Sequence, residues 1–133
     1  MMRKVVLGFL LLLGFSGFSQ TLKTVKELEK TNEKCLDNEA NGLQCSTEYY
    51  KQMDLLLNKV YNKLRSGLTG DEKSKLKKEQ QLWIKKRDQY SETLYSETKE
   101  ELGTSEGEDF KMILRHNEAE FVKKRVIELI KRL

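Results

Sequence analysis

Between Leu22 and Leu133 the apolar residues of this chain recur at spacings of three and four, and no stretch alternates as a strand would. Four segments carry the pattern. In the first, about 22–36, Val25, Leu28, Asn32 and Cys35 share a face. In the second, about 46–66, Tyr50, Met53, Leu57, Val60 and Leu64 form a seam like that of a coiled coil. The third ends near Leu102 and runs through Leu76, Gln80, Trp83, Arg87, Tyr90 and Leu94. The fourth, about 106–132, presents Phe110, Leu114, Phe121, Val122, Val126 and Leu129. Stop and start signals separate them. Gly67 is placed to cap the second helix, and Thr69 with Glu72 makes a capping box for the third. Gly103 breaks the third helix, and Ser105 with Glu108 repeats the box for the fourth. Short connections imply antiparallel neighbours. The expected fold class is all-α: a small antiparallel bundle of three to four helices built on a central hairpin of the second and third.

Polar residues interrupt both stripes of that hairpin. Asp54 and Asn58 sit beside the apolar face of the second helix, and Gln80 and Arg87 lie in line with Trp83 on the third. Folding the pair back about residues 68–70 brings Asp54 toward Arg87 and Asn58 toward Gln80. The spacing predicts a structural polar layer, with Tyr61 and Trp83 beside it, whose benefit is to fix register. A salt-bridged carboxylate has a lowered pKa and is unsuited to general acid work.

The first nineteen residues read as a segment removed from the mature protein. A basic "MMRK", an apolar "VVLGFLLLLGF" and the small residues Gly17 and Ser19 have the layout of a secretory signal peptide cleaved before Gln20. An uncleaved N-terminal anchor is the alternative. Residues 20–133 then form one domain with no membrane anchor. Loss of Arg3 and Lys4 takes the net charge from +4 to +2. A nearly balanced surface and export both argue against nucleic acid as a partner.

In an exported chain two cysteines suggest a disulfide between Cys35 and Cys45. Closing that loop stabilises the fold by about 2.8 kcal/mol in the chain-entropy model. Two cysteines ten apart with one remote histidine do not make a metal ligand set. His116 stands alone, and no nucleophile motif or glycine-rich phosphate loop occurs. The expectation is a binding protein without catalytic residues, metal or cofactor.

Cys45, Asp54-x-x-Leu57-Asn58-x-x-Tyr61 and Leu76-x-x-x-Gln80-x-x-Trp83-x-x-x-Arg87-Asp88 together resemble the LprI-like lysozyme inhibitor family, best over residues 35–90. That family consists of small secreted or periplasmic helical domains. Arg125 resembles its late arginine. A further cysteine common in the family after the Arg-Asp pair, and its late partner, are both absent here, so the fourth helix is expected to be held by packing alone. The resemblance implies a secreted or periplasmic protein that blocks lysozyme non-covalently. The rival expectation is an envelope structural or adaptor module that binds another protein. For an inhibitor, the expected partner-binding segment is the disulfide-bounded loop with Asp37, Asn38, Glu39 and Asn41. A closed loop loses less entropy on binding, and its acids suit a basic enzyme surface.

Overall fold

The computed structural model describes residues 6–38 and 41–133, with side chains from Thr21 onward. Among the described residues there are four helices and no strand: α1 (Val6–Asp37), α2 (Gly42–Ser66), α3 (Gly70–Leu102) and α4 (Glu108–Ile130). The all-α bundle is as expected. The first helix starts earlier than its amphipathic pattern, because the apolar segment continues it back to Val6. No helix among the described residues is long and apolar enough to cross a membrane.

Local chemistry sets the helix ends. Asn41 adopts the left-handed conformation at φ 52° and caps α2, its Oδ1 accepting from the Gln44 amide at 3.2 Å. Both halves of the Thr69–Glu72 box form at α3: the Glu72 amide donates to Thr69 Oγ1 at 3.4 Å, and the Thr69 amide donates to Glu72 Oε2 at 3.0 Å. Replacing Thr69 by Ala is expected to cost about 1 kcal/mol in urea denaturation. A loss within error would mean that Glu72 alone holds this end. Gly103 closes α3 with a positive φ, as expected. The second box does not form. Gly107 is the N-cap of α4, with φ 99° and no side-chain cap bond, and Thr104 Oγ1 instead accepts from the Glu106 amide at 3.0 Å. The turn at Gly107 delays the helix until Glu108, two residues too late for Ser105 to cap it.

The main packing seam joins α2 to α4, not α2 to α3. α4 runs along α2, α1 packs on α2 and touches α4, and α3 packs on α4; α2 and α3 make almost no close approach. The seam is parallel, since Gly42 lies against Met112 and Tyr49 reaches Glu120. α3 is antiparallel to α4, with Gln80 bonded to Arg125 and Ser91 to Glu118. Apolar burial explains the choice. α4 supplies Ala119, Val122, Val126, Leu129 and Ile130, all fully buried, against Met53, Leu57, Val60 and Leu64 of α2. α3 buries only Leu76, Trp83 and Thr98. At roughly 1.5–3 kcal/mol per large buried side chain, α4 outcompetes α3 for the face of α2.

Candidate functional site

Placing α4 against α2 redistributes the predicted polar layer. Asp54 makes no ion pair with Arg87, although both lie within electrostatic reach of the half-buried Tyr50 hydroxyl. Arg87 pairs with its neighbour Asp88 at 3.2 Å, and its guanidinium lies 5.7 Å from the centre of the Trp83 ring. Asn58 and Asp88 are exposed, Leu57 is in the core, and Tyr61 packs at its edge. Trp83 stacks on Phe121 of α4 at 5.9 Å, and Tyr90 stacks on the same ring at 4.5 Å.

Of the four predicted layer residues, only Gln80 enters an inter-helix polar hub, and its partner is on α4. The buried Arg125 donates from Nε to Gln80 Oε1 at 3.0 Å, from Nη2 to Glu79 at 2.8 Å and from Nη1 to Glu128 at 3.2 Å. Arg132 also donates to Glu79 at 2.5 Å. Burial opposes the Glu79 charge, but hydrogen bonds from Arg132 and Arg125 outweigh it and hold the carboxyl below the ordinary glutamate range. The signal for this hub was in the sequence. Arg125 falls three residues after Val122 and four before Leu129, in the apolar register of α4.

A second network ties three helices. The Tyr49 hydroxyl of α2 donates to Glu120 of α4 at 2.9 Å. Lys123 pairs with Glu120 and, at 3.1 Å, with Glu29 of α1. The edge of the His116 ring meets the Tyr49 ring at 5.9 Å. Burial, reinforced by the bond to Glu120, pushes the Tyr49 phenol above its usual range. Burial opposes ionisation of Glu120, but Lys123 and Tyr49 outweigh it and lower its pKa. Burial likewise opposes the charge on Lys123, yet Glu120 and Glu29 raise its pKa. A lowered carboxyl contributes stability above the ordinary glutamate range and loses it as pH falls through the depressed value. A raised lysine contributes fully below the ordinary lysine range and loses it as pH rises through the elevated value. Melting temperature should therefore fall below about pH 4 and above about pH 10.4, with Glu120→Gln flattening the acid limb. An unchanged acid limb in that variant would exclude Glu120 as a source.

The Cys35–Cys45 disulfide joins the end of α1 to the start of α2, with Cα atoms 5.7 Å apart. Asp37 and Asn38 are exposed beside it, and Glu39 lies outside the described residues. The Asn41 side-chain oxygen is engaged in capping α2. Because Gly42 lies against Met112, this loop and the Gly103–Gly107 connection share one end of the bundle. That end carries exposed Asp37, Glu100, Glu101, Glu106, Glu108 and Asp109 against Lys34, Lys99 and Lys111. The opposite end carries Lys73, Lys75, Lys77, Lys131 and Arg132 against Asp71 and Glu72. The balanced total charge thus conceals an acidic end and a basic end.

In comparison with known proteins, a family model described as "Lysozyme inhibitor LprI" matches residues 32–129. No curated protein and no solved structure matches the chain.

Proposed function

The chain belongs to the lysozyme inhibitor LprI family, and on that premise we propose that its mature form, beginning at Gln20, is exported and inhibits a lysozyme without chemistry. The acidic end of the bundle docks on the basic enzyme, with Asp37, Asn38 and Glu39 of the disulfide-bounded loop entering its cleft. The observation that carries this reading is the gathering of both connections at one acidic end, one of them held by the disulfide. Such an end combines low ordering entropy with a field that steers a basic partner.

The test is lysis of a peptidoglycan suspension by chicken-type, goose-type and invertebrate-type lysozymes, with and without the oxidised protein. Dose-dependent inhibition of at least one type is expected. Asp37→Lys with Glu39→Lys should raise the half-inhibitory concentration about tenfold or more, a change equivalent to roughly 1.4 kcal/mol. Unchanged inhibition by that variant removes the loop as anchor. Full activity of all three lysozymes overturns the inhibitor reading and favours an envelope adaptor module. A specific observation supports that alternative: Leu82, Ile84, Tyr95 and Leu102 are exposed on α3.

A further inference from the structure

The crevice between α1 and α2 holds a recess of about 60 Å³ bounded by the Cys35–Cys45 disulfide. Leu28, the disulfide and the ring of Tyr49 form its wall, together with Asn32. The polar groups of that wall are engaged or shielded. The Tyr49 hydroxyl donates to Glu120 of α4, and Asn32 Oδ1 is closed off from solvent. A water molecule needs two to four polar partners, so the recess suits hydrocarbon. By the measure of a dry cavity of about 150 Å³ that admits benzene, it takes a chain of roughly three methylenes.

The mouth has a different character. Thr31 of α1 stands beside it, with Glu48 and Gln52 of α2. Gln52 Nε2 donates to Glu48 Oε1 at 2.8 Å, which holds the carboxylate in place. Glu48 is exposed, and among the described residues no ion pair engages it. A dry slot with one carboxylate at its mouth complements an alkylammonium. The stem is buried, and the charged head stays in water beside its counter-ion. A head pushed deeper would lose water with nothing to compensate it. Lysine meets both demands, because its compact ammonium needs no planar pair of acceptors as a guanidinium does.

We propose that this recess, which shares the disulfide with the docking loop of Asp37 and Asn38, receives a lysine side chain of the enzyme, an assignment that rests on the inhibitor reading. The loop then supplies the field, and the recess supplies the anchor.

Two measurements separate the assignment from the reading beneath it. The first uses no enzyme. Amide NMR shifts of the oxidised protein are followed as n-butylammonium chloride is added, with n-butanol as the uncharged match. Shifts centred on Leu28, Asn32, Cys45 and Tyr49 are expected, with half-saturation near about 10 mM. Butanol should need at least about threefold more, and Glu48→Gln should remove that preference. The second measurement is the lysis assay. Glu48→Lys should raise the half-inhibitory concentration about tenfold or more, and so should Thr31→Trp, which closes the mouth. Both positions are exposed, so neither substitution disturbs the core. Wild-type inhibition that neither variant weakens would overturn the lysine site and leave the inhibitor standing. Butylammonium that moves no recess amide up to about 50 mM, or butanol that binds as well, would overturn the site whatever the lysozymes do. Butylammonium in the recess with no lysozyme inhibited would retain the alkylammonium site and overturn the enzyme as the source of its lysine.

Discussion

Replacing Arg125 by Ala is expected to destabilise the protein by about 3 kcal/mol in urea denaturation, the cost typical of removing one partner from a buried charged cluster. The substitution removes hydrogen bonds to Gln80, Glu79 and Glu128 together with a buried aliphatic stem. Glu79 and Glu128 are exposed enough to be rehydrated, and Glu79 keeps Arg132. The principal damage falls on the attachment of α3, whose few buried side chains offer little else. Amide exchange should accelerate in α3 while the α2–α4 seam stays protected. Arg125→Lys should recover only a minor part of the loss, since a point charge cannot engage three acceptors as a planar fork does. A loss below about 1 kcal/mol for Arg125→Ala would show that aromatic stacking on Phe121, not the hub, holds α3.

Reduction of the Cys35–Cys45 disulfide is expected to cost about 2.8 kcal/mol, lowering the melting temperature by roughly 10 °C. The loss should be unevenly distributed. Among the described residues, α1 contributes Val25 and Asn32 to the buried set, with Leu22 and Leu28 packed at the edge. The disulfide and the Glu29–Lys123 pair also tie it to the bundle. In the reduced protein α1 should lose exchange protection first. Inhibition of lysozyme should decline with it, because the acidic loop is then no longer held in place. Thermal melts and lysis assays on Cys35→Ser with Cys45→Ser check both effects. Inhibition that survives loss of the disulfide would move the binding surface to the Gly103–Gly107 side of the acidic end.

The helices, most of their ends and the disulfide were legible in the sequence because each rests on short-range chemistry, and the family was legible through the resemblance carried by residues 35–90. A three-four spacing, a Thr-x-x-Glu box, a glycine after an apolar run and two cysteines ten apart act over one or two turns. The choice of helix partner was not legible in this way. Asp54 with Arg87 and Asn58 with Gln80 matched in height on an assumed α2–α3 hairpin, but a short connection requires only that two helices start near each other. Which faces then meet depends on how much apolar surface each can bury, and α4 buries more against α2 than α3 does. That competition turned Gln80 toward Arg125 and left Asn58 in solvent. The sequence by itself determined the helices, the order of charges along each and, through the short connections, that neighbours run antiparallel. Only the tertiary structure decided which helix covers the face of α2: α4 buries more apolar surface there than α3 can, so Arg125 of α4 became the partner of Gln80.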